Sequence, residues 1–397
     1  MVVRGKAPIW VLTAASLLFV ACRFGDFTED AGPDDAAVID AAPPVIDAAP
    51  PVIDAAIPDA GIPDAAGPDA TPADAGPHPM DPLEDGLSTL IGDSTAGFLN
   101  GPREFALLSN PVNVLVGPNG DVFVADFGNN AIRQVTPTGD TSTLVRQPGF
   151  NRPFGMVFTP DGELFVQTDR SSLDADTGAL WKVALDTGIA TLELDDTGRW
   201  RGLAALSDGR IAVGDATAFT VKIYDPVLGT VTPIAGEEGV SGFGNGTGSG
   251  AHFNTIRDIV VTSTDTMLVS DAGNNRIRQV TLAGVVTTVA GNGLAASTNG
   301  VALASSVNQP SGLALDGDDV LYIGEFNSGM IRKLSGNLLT TIAGSVPGYA
   351  DNVDPVVGQL FSAEGLDFVA PNLYSSDGNA GGDEPFHRIR RTVIAAD

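Results

Sequence analysis

Five residues near the starts of short apolar segments have side chains that can bind a small polar ligand. These segments follow a Pro-x-Gly-like start, as at 153–155 and 310–312. The middle position varies along the chain, as Val112, Phe154, Arg201, Arg257, Ser311 and Glu364. Arginine makes bidentate bonds to carboxylates and phosphates, and a phenylalanine ring offers a stacking face. We therefore predict a site for an anionic or sugar-like ligand formed by Arg152, Phe154, Arg201, Arg257 and Glu364.

Six acidic residues, the anchors, recur along the chain and are the second candidate for chemistry. They are Asp126, Asp169, Asp215, Asp271, Glu325 and Asp377, separated by 43 to 56 residues. Repeated carboxylates suggest a metal or acid/base site, but in the best-matching repeats the acidic residue stands just before a Gly-Asn turn. A short acidic side chain there accepts hydrogen bonds from the turn's N–H groups. We predict a structural role for the anchors, and we expect Arg133, Arg278 and Arg332 to lie over neighbouring strands or pair with acids.

The composition excludes several kinds of function. The 397 residues include 49 acids against 21 bases, a net charge of −28 that argues against nucleic-acid binding. The single Cys can form neither an internal disulfide nor a cysteine-based zinc site. After the N-terminal region only His252 and His387 remain, too few for a three-histidine zinc site. No Gly-x-Ser-x-Gly motif indicates a Ser-His-Asp enzyme.

An internal repeat must position these residues. Segments 120–135, 266–280 and 320–334 match nearly residue for residue, and weaker copies centre on Asp169, Asp215 and Asp377. Each copy contains a short apolar strand, an alternating strand, an Asp-x-Gly-Asn-Asn hairpin leading into an Ile-Arg strand, and an outer strand. Four strands in roughly 40–55 residues are typical of one blade of a β-propeller.

The repeats resemble the NHL family. The Asp-x-Gly-Asn-x-x-Ile-Arg core at 271–278 and the Thr-Thr-x-Ala-Gly ending at 287–291 carry this resemblance, which extends from about Leu87 to Val393. It implies an all-β, six-bladed propeller. Residues 87–92 have an outer-strand sequence with no blade before them, and the last copy ends after its third strand. We therefore expect the N-terminal strand to complete the last blade, which removes two exposed edges.

Relatives of this architecture imply an alternative function. Gluconolactonase-like propellers bind a divalent ion through Glu, Asn and Asp near the channel. Asn113, Asp258 and Glu364 match that set by position and would offer hard oxygen ligands to Ca²⁺ or Mg²⁺. The surrounding motifs differ from that family. A divalent-metal-dependent hydrolase or lyase is therefore the alternative, and the main prediction includes no cofactor.

The first 82 residues have features that predict export of the protein and its attachment to a membrane. Residues 1–21 join a short basic start to an apolar run that is typical of a signal peptide and short for a membrane span. The end of this run, with Cys22, resembles a bacterial lipobox, which implies that Cys22 is lipidated. Arg23, directly after the cysteine, favours sorting to the outer membrane. Residues 22–82, rich in Ala, Asp and Pro, predict a disordered acidic tether.

These features together predict a lipoprotein of the bacterial cell envelope, attached to a membrane through the lipid on Cys22. Its propeller, at 83–397, is predicted to be a non-catalytic binding or scaffolding module. The predicted partner is a protein, peptide or glycan, and no nucleic acid.

Overall fold

The computed structural model describes residues 85–170, 177–378 and 387–394, and these residues form six antiparallel sheets. The first strands of consecutive sheets contact one another all the way round, and that of the last sheet contacts that of the first. The predicted six-bladed β-propeller is confirmed. The predicted signal peptide, Cys22 and tether lie outside the described residues.

In the first three blades the main strands lie side by side in sequence order, and in blade 1 the short strand β2 pairs with β6 at the outer edge. Strand β1 (Leu87–Asp93) precedes the blades. Blade 1 contains β2 (Gly101–Pro102), β3 (Pro111–Val116), β4 (Val122–Asp126), β5 (Ala131–Val135) and β6 (Asp140–Val145). Blade 2 contains β7 (Asn151–Phe158), β8 (Leu164–Arg170), β9 (Ala179–Val183) and β10 (Ala190–Asp195). Blade 3 contains β11 (Trp200–Ala205), β12 (Ile211–Asp215), β13 (Thr220–Asp225) and β14 (Thr230–Ala235).

Blades 4 and 5 resemble blade 1 in having a two-residue strand on the outer edge. Blade 4 contains β15 (Gly246–Thr247), β16 (Ile256–Val261), β17 (Met267–Asp271), β18 (Arg276–Val280) and β19 (Val285–Ala290). Blade 5 contains β20 (Gly300–Val301), β21 (Pro310–Leu315), β22 (Leu321–Glu325), β23 (Met330–Ser335) and β24 (Leu338–Ala343). Blade 6 contains β25 (Ala363–Val369), β26 (Asn372–Asp377) and β27 (His387–Val393).

The described residues also include three single-turn 3₁₀ helices: Phe127–Asn129, Gly248–Gly250 and Ala272–Asn274. Two of them form the tips of the predicted Asp-x-Gly-Asn-Asn hairpins. There Asn130 and Asn275 adopt left-handed backbone conformations, with φ of 53° and 51°, which asparagine tolerates well. Within the described ranges, no helix has the length and apolar character needed to cross a membrane.

Apolar side chains between neighbouring blades form the core. Six buried clusters occur, one at each interface between blades. Between blades 1 and 2, the rings of Phe150 and Trp181 meet edge to face with their centroids 5.6 Å apart. Strand β4 is buried along its whole length because both faces of its blade are covered. Each blade thus depends on its neighbours for burial of its apolar surface.

The N-terminal strand closes the ring. Strand β1 pairs antiparallel with β27, in a register that runs from Leu87 opposite Thr392 to Asp93 opposite His387. Blade 6 thereby obtains the outer strand that its own sequence lacks, and the expected closure is confirmed. Without β1, the edge of β27 would expose unpaired backbone groups.

The structure corrects one position in the repeat. In blade 1 the anchor Asp126 stands opposite Pro111, the first residue of β3. In blade 2 the residue opposite Pro153 is Thr168, so the sequence-based assignment of Asp169 as the anchor is wrong by one position. The indole N–H of Trp181 donates to the Thr168 hydroxyl at 3.0 Å, where blade 1 has an arginine–carboxylate pair. Since successive side chains in a strand point to opposite faces, Asp169 points away from this position.

Candidate functional site

In blades 1, 4, 5 and 6 the anchor belongs to a buried hydrogen-bond system that joins the blade to the loop before it. Asp126 pairs with Arg133 at 2.9 Å, and both side chains are fully buried. Arg133 also donates to the Leu99 and Leu107 carbonyls and to the Asn100 amide oxygen. The same pairing recurs as Asp271–Arg278 at 2.7 Å, Glu325–Arg332 at 2.6 Å and Asp377–Arg390 at 3.1 Å. These carboxylates and arginines are bonded to one another and to neighbouring carbonyls, so their role is structural.

The ends of the second strands and the starts of the first strands lie on one face of the ring, which we call the anchor face. Two sets of residues surround the mouth of the channel on this face. The inner ring comes from the first strands and consists of Val112, Phe154, Arg201, Arg257, Ser311 and Glu364. The post-anchor ring follows the anchors and consists of Phe127, Asp169, Ala216, Ala272, Phe326 and Gly378. The structure thus places most of the predicted ligand residues in one ring.

Arg201 connects blade 3 to blade 2 at this mouth. Its Nη2 lies 3.0 Å from Asp169 Oδ2, and its guanidinium lies over the Phe154 ring at 4.4 Å. The Arg201 side chain is 13% exposed, so these contacts hold it partly out of water. A cation stacked on an aromatic ring and paired with a carboxylate has a well-defined orientation.

Arg257 reaches across the channel from blade 4 to blade 6. Its Nη1 lies 3.1 Å from Glu364 Oε1, and its guanidinium lies over the Phe326 ring of blade 5 at 4.3 Å. Glu364 has no exposed side-chain surface, whereas the Arg257 side chain is 15% exposed. Burial lowers the pKa of Arg257, the Glu364 carboxylate opposes that effect, and the positive charge of Arg201 adds to it. The two mouth arginines are therefore close enough to influence each other.

Arg201 and Arg257 use few of their hydrogen-bond donors. Arg133 makes four bonds through its two terminal nitrogens. Among the described residues, Arg201 donates to Asp169 and Arg257 donates to Glu364, and neither has another acceptor. A guanidinium has five N–H donors, so both side chains retain donors for a ligand.

Two further arginines add positive charge at the same mouth. Arg152 is exposed, lies over the Phe127 ring at 5.5 Å, and pairs with no carboxylate in the described part of the chain. Arg199 is 44% exposed, and its Nε lies 3.8 Å from Asp169 Oδ2. In the described part of the chain, the mouth therefore has four guanidiniums (Arg152, Arg199, Arg201 and Arg257) against two carboxylates, a local excess of positive charge.

The predicted stacking role of Phe154 is not what the structure shows. The Phe154 side chain is 3% exposed, covered by Arg201 on one side and packed edge to face against Phe127. Its face is thus occupied by protein groups and is not offered to a sugar ring. Phe154 instead supports the guanidinium of Arg201.

The three predicted metal ligands are divided between two places. Asn113 and Asp258 line a channel cavity of about 210 Å³, which Glu364 does not line. The Asp258 carboxylate accepts the N–H groups of Ile259 and Leu313, each at 2.8 Å. Glu364 is bound to Arg257 at the mouth. No group of three or more His, Cys, Asp or Glu suited to a metal occurs within the described ranges.

Asp367 is a channel residue that the sequence reasoning missed. Its carboxylate accepts the Val116 N–H at 2.6 Å and the Phe368 N–H at 2.8 Å. Burial raises the pKa of Asp258 to about 7, with a smaller contribution from the negative charge of Asp367, and burial raises the pKa of Asp367 to about 6. Both carboxylates connect neighbouring blades, since Leu313 and Val116 belong to the blades that follow them around the ring.

A groove of about 810 Å³ lies on the opposite face, between blades 2 and 3. Its charged side chains include Glu163 with Lys182 and Asp208 with Arg210, which form ion pairs with each other. The carboxylates of these pairs are 37% and 49% exposed, whereas Asp169 and Glu364 at the mouth are 5% and 0% exposed. The groove contains none of the residues that break the repeat, so the anchor-face mouth is the better candidate despite the groove's larger volume.

Solved structures similar to this chain are β-propellers. A protein of unknown function from Bacteroides thetaiotaomicron VPI-5482 has a TM-score of 0.63 and 17% identity, covering 78% of this chain and 75% of its own. An auxiliary nutrient binding protein from the same organism has a TM-score of 0.61 and 15% identity, covering 77% and 75%. Another from Bacteroides ovatus ATCC 8483 has a TM-score of 0.60 and 19% identity, covering 78% and 76%. At these identities the likeness shows the fold: the chain is a six-bladed β-propeller.

Comparison of sequences adds one curated relative. Protein SUPPRESSOR OF QUENCHING 1, chloroplastic, of Arabidopsis thaliana is 25% identical over 240 residues, which cover 51% of this chain. The chain spans 22% of the length of that relative. No family model matches the sequence.

Proposed function

We propose that this chain is an NHL-type propeller lipoprotein of the cell envelope that binds its ligand, without catalysis, at the anchor-face mouth. The observation that carries the proposal is the pair of mouth arginines, Arg201 and Arg257, which keep unused donors among the described residues. In an anchor arginine such as Arg278, by contrast, both terminal nitrogens are fully bonded. Two proteins of the same fold are described as auxiliary nutrient binding proteins, which supports a binding role. The ligand classes under this proposal are a protein, a peptide or a glycan.

The metal-dependent alternative has weaker support from the geometry. A divalent ion needs several oxygens directed at one point. Glu364 lies apart from the cavity that Asn113 and Asp258 line, and both Asp258 oxygens accept backbone N–H groups. The binding function and the metal-dependent enzyme are distinguished by measuring the metal content of the purified protein and its melting temperature before and after EDTA. A tightly held ion whose removal lowers the melting temperature would favour the enzyme.

Binding at the mouth is tested by melting-temperature shifts with a panel of neutral and acidic oligosaccharides and short peptides. A ligand that binds the folded state raises the melting temperature. We expect at least one member to do so, and we expect the double variant R201A/R257A to lose the shift. Arg210→Ala, in an exposed ion pair of the opposite groove, is the matched control and should retain it. A shift that survives in R201A/R257A would place binding elsewhere.

Anchoring is tested separately at Cys22. The proposal includes export, lipidation of Cys22 and attachment to the outer membrane through the tether, on the strength of the lipobox resemblance and Arg23. Bacteria that express the chain are labelled with an alkyne fatty acid, and their membranes are fractionated. The wild-type chain should carry the label in the outer-membrane fraction, and Cys22→Ser should carry none. Equal labelling of both chains would contradict lipidation at this residue.

A further inference from the structure

We infer that the ligand of the anchor-face mouth is a small oligoanion with at least two carboxylate or phosphate groups. This inference rests on the proposed function and narrows it to one kind of ligand. It depends on the charge, the donors and the aromatic contacts of the mouth.

The charge of the mouth has the sign opposite to that of the whole chain. The chain has a net charge of −28. At the mouth, Arg152, Arg199, Arg201 and Arg257 face the carboxylates of Asp169 and Glu364, which leaves a surplus of two positive charges among the residues that the structure describes. A site of this sign attracts anions at short range, although the rest of the surface repels them. A ligand with two negative charges would neutralise the surplus.

The donors of the mouth suit an anion that accepts several hydrogen bonds. Arg201 and Arg257 each donate to one carboxylate, and their remaining N–H groups have no acceptor among the described residues. Phe154 and Phe326 support the two guanidiniums from below, at 4.4 and 4.3 Å, so their planes are fixed before a ligand arrives. Planar guanidiniums in fixed positions favour carboxylates and phosphates, which accept bidentate bonds.

The aromatic contacts argue against a neutral sugar. Binding of a neutral saccharide commonly requires an aromatic face against the sugar ring. Phe127 and Phe154 are 7% and 3% exposed, Phe326 is partly buried, and an arginine lies over each of the three rings. The mouth therefore offers charge and donors in place of a stacking surface.

The test compares an acid with its neutral ester on the full-length protein. Digalacturonate carries two carboxylates, and its dimethyl ester has the same sugar rings without the charges. By titration calorimetry at low salt, we expect digalacturonate to bind at least tenfold more tightly than the ester, and more weakly as salt is added. Pyrophosphate, measured in parallel, distinguishes a phosphate ligand from a carboxylate one.

Variants locate the site. R201A/R257A should lose at least tenfold in affinity for the acid, while R210A should be unchanged. Arg152→Ala removes an exposed side chain and should weaken binding of the acid without affecting folding, which covers the case in which the double variant is unstable. Acid binding that none of the mouth variants weakens would overturn the inference.

Failure of the inference and failure of the proposed function give different results. If the ester binds as tightly as the acid and both depend on Arg201 and Arg257, the mouth binds ligand but not through anionic groups. If neither digalacturonate nor pyrophosphate binds while a neutral member of the panel does, the anion inference is overturned alone. If no ligand of any kind depends on the mouth arginines, the proposed function is overturned as well.

Discussion

The Arg257 guanidinium of blade 4 and the Glu364 carboxylate of blade 6 form an ion pair across the channel, with 3.1 Å between Nη1 and Oε1. The residues are 107 positions apart, and blade 5 lies between their strands in the ring. Blade 5 contributes Phe326, which lies under the guanidinium. One side chain therefore joins three blades at the anchor face, where the proposed ligand binds.

Removing the charge of Glu364 should strengthen anion binding and weaken the fold. In Glu364→Gln the amide oxygen still accepts a bond from Arg257, but the positive surplus of the mouth rises by one charge. We expect digalacturonate to bind severalfold more tightly, and the free energy of unfolding to fall by about 1–3 kcal/mol because a buried charged bond is weakened. Calorimetry and urea unfolding measure the two effects.

The matched control is Glu163→Gln in the opposite groove, where Glu163 pairs with Lys182 and is 37% exposed. It should change stability by less than about 1 kcal/mol and leave binding unaltered. Weaker binding of digalacturonate by Glu364→Gln would contradict the charge surplus as the basis of recognition.

The anchor arginines should matter for stability alone. Arg278→Ala leaves the Asp271 carboxylate buried without its cation, and it removes the bonds to the His252 and Gly244 carbonyls. We expect a loss of about 3–5 kcal/mol in urea unfolding. The exposed Arg210→Ala should cost less than about 1 kcal/mol. Equal, small losses in both variants would argue against a structural role for the anchor pairs.

The sequence predicts the blades because each blade is a local structure. Hairpin turns, alternating strands and the spacing of Asp271 to Arg278 are all set within a few tens of residues, so the repeat was enough to predict six blades and their closure. In blade 2 the repeat alone does not predict the anchor correctly. There Thr168 and Trp181 replace the carboxylate and arginine, and the neighbouring Asp169 has the chemistry of an anchor without occupying its position.

The site was harder to predict because its contacts join different blades. The inner ring follows from the repeat, since its members occupy one position of successive first strands. The partners of Arg201 and Arg257 do not, because Asp169, Phe326 and Glu364 come from other blades and meet them only in the closed ring. The repeat alignment could have predicted that Phe326 lies at the mouth, because Phe326 directly follows the anchor Glu325.

Strand β1 should be essential for folding. Leu90 and Ile91 are 8% and 1% exposed and belong to the apolar cluster between blades 6 and 1. Removal of residues 1–84 leaves β1 in place, and we expect the melting temperature to stay unchanged. Removal of residues 1–96 exposes the edge of β27 and opens this cluster, so we expect loss of cooperative unfolding and aggregation. Circular dichroism and light scattering test both chains; a cooperative, soluble 97–397 would contradict closure as a requirement for stability.

The channel carboxylates should make stability depend on pH. Asp258 and Asp367 are bound to backbone N–H groups of the next blade, yet burial raises their pKa values from 3.8 to about 7 and about 6. The folded protein then holds these protons more tightly than the unfolded chain does. Their contribution to stability is therefore fully present below about pH 4 and is lost as the pH rises to about 7.

Asp258→Asn should flatten this dependence. Asn113 occupies the same position in blade 1, and its amide oxygen accepts the Val114 N–H at 2.8 Å, as Asp258 does for Ile259. The variant can therefore keep the local bond while losing the titrating group and the acceptor for Leu313. Between pH 5 and 8, we expect the free energy of unfolding of wild type to fall relative to that of Asp258→Asn, by on the order of 1–3 kcal/mol. Urea unfolding across this range measures the difference between the two proteins, in which the effects of titrating groups that do not interact with Asp258 cancel. Parallel curves would mean that the hydrogen bonds from Ile259 and Leu313 hold Asp258 ionised throughout, with its pKa near 3.8.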